Sequence, residues 1–122
     1  MGAKELVADL IGAPWVPHGR DRKGIDCAGV AALVLSRLGR RVPPNAWDWS
    51  GAHLWEHLGD EVEDATREGD IVVSRTGDGV LHVSVLVDEA TRSFASASKQ
   101  LGCVLTRYWA IQGVVGAYRW PA

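Results

Sequence analysis

The segment with the clearest potential for chemistry is Gly24-Ile25-Asp26-Cys27-Ala28-Gly29, which places a cysteine where a helix begins. From Val30 onward apolar residues recur at steps of three and four, which is typical of a helix with one buried face. The first N–H groups of a helix are unpaired and carry partial positive charge, so we expect them to stabilise a thiolate, the nucleophilic form of cysteine. The pattern therefore indicates a nucleophile at Cys27, with inert burial as the alternative, since free cysteine is often a small core residue.

His82 is the candidate base for such a nucleophile. Cysteine catalysis needs a base near the sulfur, and the base needs a partner that orients its far nitrogen. His82 lies in Val80 to Val87, an otherwise almost wholly apolar stretch that predicts a strand. The alternative is a histidine with a purely structural role, either at a strand edge or in the core.

A competing motif occurs in the middle of the chain. His53, Glu56 and His57 satisfy the H-x-x-E-H pattern of one class of zinc peptidase, with two histidines one helical turn apart and a glutamate as base. The third protein ligand would have to be an acidic residue in no recognisable context, and two histidines on a solvated helix face explain the pattern more simply. We therefore predict no metal and no cofactor.

The remaining elements predict an α+β fold, with N-terminal helices packed on a five-stranded antiparallel sheet in a single domain spanning residues 1–122. Helices are expected over residues 6–11, 27–38 and 50–58, and an irregular loop over 13–24 because it holds two prolines and two glycines. Strands are expected at residues 71–74, 80–87, 93–95, 103–106 and 114–118. The pattern over residues 107–112 favours no particular element.

Composition excludes several functional classes. The net charge of the 122 residues is -2 with no basic cluster, which argues against a nucleic-acid partner. No apolar stretch approaches the length of a membrane span, and the first residues do not form a signal peptide. Two cysteines are too few for a disulfide framework, and Cys103 is interpreted as a strand residue without chemistry.

The loop that leads to Cys27 carries two further candidates, Trp15 and His18. An aromatic ring and a histidine beside a nucleophile could line a substrate cleft. The alternative for Trp15 is that it simply covers the core.

Three short motifs, taken in order, resemble those of the NlpC/P60 family of papain-like cysteine peptidases, which cut peptidoglycan stem peptides. Asp26-Cys27-Ala28-Gly29 is similar to the family's D-C-S-G. Gly69-Asp70 followed by apolar residues is similar to its G-D strand opening, and His82-Val83-Ser84-Val85 is similar to its H-V-G strand. The loop around residues 18–22 is similar to that of phage-borne members associated with tails.

The resemblance implies Cys27 as nucleophile, His82 as general base and Ser96 in the place of the family's third polar residue. It implies substrate contacts for Asp26, which in the family reads a free amine, although Asp26 could equally serve only as a helix N-cap. Ala28 stands in place of the usual serine, and Trp15 in place of a tyrosine.

The function implied is hydrolysis of peptide or isopeptide bonds in stem peptides, with a weakened or inactive binding module as the alternative. The implied partners are peptidoglycan and other phage-tail or cell-wall proteins. The implied location is the bacterial cell wall or periplasm, or a phage-like particle, and otherwise the cytoplasm.

Overall fold

The structure is a computed structural model that describes residues 2–42, 59–77 and 79–121. Its α-helices are α1 (Ala3–Val7), continued by a 3-10 turn at Ala8–Leu10, and α2 (Cys27–Arg37). Its strands are β1 (Arg20–Asp21), β2 (Gly24–Ile25), β3 (Asp60–Val62), β4 (Ile71–Arg75), β5 (Leu81–Asp88), β6 (Ser93–Ser98), β7 (Gly102–Arg107) and β8 (Val114–Arg119). A second 3-10 turn, Tyr108–Ala110, occupies the stretch for which the sequence favoured no element.

The α+β architecture is confirmed, but the sheet has six strands in the described residues and not five. Its order is β3-β8-β4-β5-β6-β7, and every neighbouring pair is antiparallel. The strand that the sequence missed is β3, which pairs with β8. It is only three residues long and begins with two exposed acids, so it shows no apolar alternation. The predicted helix over 50–58, including the zinc motif, lies outside the described residues.

The sheet separates two cores. On one face, α1 and α2 pack on β5 and β6, and Val30, Val34 and Leu35 of α2 are fully buried there. Val83, Val85 and Val87 of β5 point to this face. Leu86 points to the opposite face, where it packs in a smaller cluster with Phe94, Val72, Ala65 and Ala117. Side chains alternate along a strand, so His82 and Ser84 lie on the face of Leu86.

The start of α2 is defined by Asp26, whose carboxylate accepts a hydrogen bond of 2.7 Å from the Gly29 N–H. A Cβ on Gly29 would lie 2.4 Å from the Gly19 carbonyl oxygen, so only glycine lets the preceding loop pack against the first turn. That loop was expected to be irregular. It nevertheless pairs Arg20 with Ile25 across the two-residue strands β1 and β2. No helix in the described ranges is both long and apolar enough to cross a bilayer.

Asp70 directly precedes β4 and connects it to Arg119, the last residue of β8. Its side chain is 1% exposed and accepts two hydrogen bonds of 2.8 Å from the Arg119 guanidinium. It also accepts from the backbone N–H groups of Thr66 and Arg67. Burial alone raises the pKa of Asp70, but these hydrogen bonds outweigh burial and hold the pKa below its ordinary value.

We expect Asp70→Asn to lower the free energy of unfolding by about 3 kcal/mol, because it leaves the Arg119 charge without its partner. Urea denaturation at pH 7 measures this. The matched control Asp60→Asn, on exposed β3, is expected to change the free energy of unfolding by less than about 0.5 kcal/mol.

Because the pKa of Asp70 is lowered, the contribution of Asp70 to the free energy of unfolding is present above the unfolded-state pKa of about 4 and is lost as pH falls through the lowered pKa. Equal changes in the free energy of unfolding for Asp70→Asn and Asp60→Asn would contradict the stabilising role of the Asp70–Arg119 pair.

Candidate functional site

Cys27 is the first residue of α2 and is half-buried. The backbone of Val83 in β5, and the backbone at Ala28 and Cys27, lie close enough to the thiol to lower its pKa. The sulfur therefore lies between the start of the helix and the strand that carries His82.

A gap in the sheet explains how the Val83 backbone reaches the thiol. Leu86 exchanges hydrogen bonds with the start of β4, and the Val80 carbonyl accepts from Thr76, so even-numbered residues at both ends of β5 bond toward β4. Backbone groups alternate direction along an antiparallel strand, so the Val83 N–H points toward β6. The β5–β6 register begins only at Val85↔Ala95. The Cys27 thiol lies near the Val83 backbone, in the stretch before that register begins.

The expected stabilisation of a Cys27 thiolate by the start of the helix is present but is outweighed. Burial raises the pKa of the Cys27 thiol above its ordinary value, and the nearby Asp26 charge raises it further. The hydrogen bonds from Val83 and from the start of the helix act in the opposite direction but are smaller. Desolvation of a thiolate therefore outweighs the favourable helix terminus, and the resting group is a neutral thiol.

His82 is neutral at pH 7 for the same reason. It is half-buried, and burial lowers the pKa of its imidazole. Within the described residues, its ring makes no hydrogen bond to Cys27 or Ser96. The structure thus places a neutral base one residue from the backbone group that holds the thiol, without a formed ion pair.

A cavity of about 530 Å³ lies on the sheet face that carries His82. Its floor contains His82 and Ser96, the two predicted residues from β5 and β6. The sequence interpretation missed its other hydroxyl-bearing residues, Ser74, Ser84 and Thr106, and the wall formed by residues 110–113. Ser84 shares the two-residue period of His82, and that signal in the sequence could have identified it.

The remaining predicted site residues lie around the start of α2. The structure shows the N-cap role of Asp26, and Ala28 is buried in the α2-side core. Trp15 packs against the same core and lies beside Ile25, with the Lys99 ammonium 5.2 Å from its ring centroid. His18 is exposed and adopts a φ of 62°. Substrate contacts for these four residues stay predictions.

Metal chemistry has no support in the part of the chain that the structure describes. No group of three or more histidine, cysteine, aspartate or glutamate side chains is arranged there to hold an ion. The zinc motif at residues 53–57 falls in the undescribed range.

The α-helices on one face of an antiparallel sheet, with a cysteine at a helix start and a histidine on the neighbouring strand, define an α+β domain of papain-like type. The NlpC/P60 family model matches residues 12–114, so the chain belongs to the NlpC/P60 family. No curated protein sequence matches it.

Solved structures share this fold at low sequence identity. The NlpC/P60 domain of the peptidoglycan hydrolase SagA superposes with a TM-score of 0.65 at 20% identity, covering 97% of this chain and 98% of that one. NlpC1 from Trichomonas vaginalis superposes with a TM-score of 0.72 at 21% identity, covering 97% of this chain and 42% of that one. An NlpC/P60 family protein from Bacillus cereus superposes with a TM-score of 0.67 at 18% identity, covering 98% of this chain and 40% of that one. This chain therefore spans less than half the length of the Trichomonas vaginalis and Bacillus cereus proteins.

We expect iodoacetamide to label Cys27 slowly at pH 7, with a rate that rises about tenfold per pH unit and does not level off below pH 9, because only the thiolate reacts and its pKa is raised. Peptide-resolved mass spectrometry over pH 6 to 10 measures this. Cys103 is the internal control, since it is fully buried and burial raises its pKa to about 11. A rate for Cys27 that is already constant above pH 7 would show a resting thiolate and contradict the expectation.

Proposed function

We propose that this domain is a cysteine peptidase that hydrolyses peptide or isopeptide bonds of peptidoglycan stem peptides. The observation that carries the proposal is the position of the Cys27 thiol, which lies near the Val83 backbone, one residue from His82, in the stretch of β5 before its register with β6 begins. Family membership and the likeness to the domain of a peptidoglycan hydrolase support the choice of substrate.

The chemistry proposed begins from two neutral groups. His82 takes the proton of the Cys27 thiol as the sulfur attacks the carbonyl carbon of the substrate. The same histidine then protonates the departing amine, which leaves a thioester between Cys27 and the acyl part. Water, deprotonated by His82, attacks this thioester and frees the acid and the thiol.

The start of α2 supplies the oxyanion site in this proposal. The backbone at Cys27 and Ala28 acts on the sulfur, so these groups lie close to the atom that attacks the carbonyl carbon in this proposal. Removing a single donor of this kind costs about 3 to 4 kcal/mol in other enzymes. Because the resting thiol is neutral, the proposed mechanism depends on proton transfer to His82 during the attack and not on a preformed ion pair.

A second candidate function is an NlpC/P60 module that binds stem peptides with little or no turnover. Three observations favour it. The pKa of Cys27 is raised, the described residues show no hydrogen bond between His82 and Ser96, and a serine occupies the place of the third polar residue. Serine is shorter than histidine, asparagine or glutamine and carries no charge, so it orients an imidazole less firmly.

We also propose that the domain acts at the bacterial cell wall or in the periplasm, or as part of a phage-like particle. The similarity of residues 18–22 to phage-borne members supports the particle, with other tail or wall proteins as partners.

We expect digestion of purified peptidoglycan by the wild-type domain to release stem-peptide fragments that Cys27→Ala fails to release, with a loss of about a thousandfold or more in rate. Mass spectrometry of the soluble fragments identifies the bond. Cys103→Ala is the control, because Cys103 is buried in β7 away from the cavity. Bound but intact stem peptide with the wild-type protein would instead support the binding module.

We expect Ser96→Asn to raise kcat/KM about three- to tenfold, because a longer amide can reach and orient the His82 imidazole. The cavity beside Ser96 has room for the added atoms. The matched control is Ser84→Asn, which enlarges another buried serine of the same cavity. An unchanged or lower value for Ser96→Asn, with native melting behaviour, would rule out Ser96 as the orienting position.

A further inference from the structure

Three buried serines in the floor of the cavity have hydroxyls that no other described residue engages. Ser74, Ser84 and Ser96 are 3%, 3% and 6% exposed, and all three line the cavity. Within the described residues, none of their hydroxyls makes a hydrogen bond, and none is sealed from solvent. Buried polar groups nearly always have partners, because an unpartnered hydroxyl costs free energy. The small open part of each hydroxyl therefore faces the cavity, where a ligand or water completes its bonding.

The register of the sheet keeps these hydroxyls apart. On β4, Ser74 lies opposite His82 of β5. Ser84 lies two residues further along β5, at a position diagonal to Ser74. Side chains at diagonal positions of an antiparallel pair are about 7 to 8 Å apart, which is beyond the reach of a hydrogen bond. Ser96 extends the row to β6, so the floor offers separate donors and acceptors on three neighbouring strands, spaced for several polar groups of one ligand.

The floor of the cavity carries no charge. Among the described lining residues only Arg75 is permanently ionised, and it is exposed and donates through Nη1 to the Gly79 carbonyl at 3.0 Å. No carboxylate lines the cavity in this part of the chain. Burial lowers the pKa of His82, so its imidazole is neutral at pH 7. An ion that leaves water for such a floor loses its hydration without gaining a counter-ion, so the cavity favours an uncharged ligand.

One wall of the cavity is largely apolar. It is formed by residues 110–113, of which Ile111 is half-buried against the smaller core cluster. A sugar ring has the same division, with hydroxyls along its edges and C–H groups on its faces. Serine hydroxyls both donate and accept, so they match sugar hydroxyls in either direction. An extended peptide would need free backbone groups, but those of β4 and β5 beneath the cavity pair with each other. The volume of about 530 Å³ is within the range of small-ligand sites.

We propose that this cavity is a saccharide-binding subsite that takes an uncharged sugar ring, with Ser74 and Ser84 as recognition residues. The ring belongs either to the glycan of the cell wall or to a free saccharide, and both present the same chemistry. Binding of the ring needs no turnover at Cys27. Only the choice of wall glycan rests on the proposed function.

NMR titration of the ¹⁵N-labelled wild-type domain with chitotriose, an uncharged trimer of N-acetylglucosamine, tests the subsite. Chemical-shift changes are expected at the backbone amides of Ser74, Ser84, Ser96 and residues 110–113, and not in α1. The de-N-acetylated trimer is the matched probe, because it keeps the ring and carries ammonium groups. It is expected to bind at least about tenfold more weakly, since no carboxylate in the described lining receives it.

Ser74→Ala and Ser84→Ala remove hydroxyls that face the cavity. Each is expected to weaken chitotriose binding about three- to tenfold, as the loss of one hydrogen bond does. The melting temperature is expected to stay equal or to rise, because the hydroxyl lost has no partner in the described protein. Ser93→Ala, on β6 outside this cavity, is the matched control and is expected to bind as the wild type does. Weaker binding accompanied by a lowered melting temperature in both variants would show a structural role and overturn the assignment of these serines.

Sedimentation of the Cys27→Ala domain with insoluble peptidoglycan distinguishes the two sources of the ring. Release of the domain by chitotriose assigns the wall glycan, whereas retention, or no sedimentation at all, assigns a free saccharide. Absence of chitotriose shifts at the cavity amides, or the same shifts from a sugar-free stem peptide alone, overturns the subsite and leaves the peptidase proposal standing. Chitotriose binding without cleavage of peptidoglycan by the wild type supports the subsite and overturns the peptidase.

Discussion

The site depends on the position of the Val83 backbone, which lies in β5 before its register with β6 begins. Strands β5 and β6 pair from Val85 onward and diverge before it. The Val83 backbone lies near the Cys27 thiol and acts to lower the pKa of that thiol. Cys27 packs against the α2-side core, whereas His82 lines the cavity on the other face of the sheet.

Competition between desolvation and hydrogen bonding sets the protonation states. A helix N-terminus favours a thiolate, but its stabilisation is limited to the first turn, whereas burial acts on the whole charge of the sulfur. Burial also disfavours the charged imidazole of His82. Both members of the proposed pair are consequently neutral in the resting state. The burial that builds the site therefore also disfavours a resting ion pair between Cys27 and His82.

The sequence predicted the fold class and the order of the main elements because these follow from local patterns. The helix at Cys27 had a capping residue, an apolar period and a terminal glycine, and its observed bounds agree within one residue. Strand β3 was not predicted because its pairing with β8 depends on residues nearly sixty positions away. The cavity and its row of serine hydroxyls could not be derived for the same reason, since they require the strands to be placed in space. The raised pKa of Cys27 is likewise a property of burial and not of residue type.

The last strand of the chain lies inside the sheet and not at its edge. β8 separates β3 from β4, and Arg119 at its end completes the hydrogen bonding of buried Asp70. Strands β3 and β4 can therefore belong to one sheet only when residues 114–119 lie between them. Non-local pairing of this kind is slow. The part of the sheet that holds β3 and β8 therefore depends on long-range pairing, whereas β4 to β7 each pair with a neighbour in sequence.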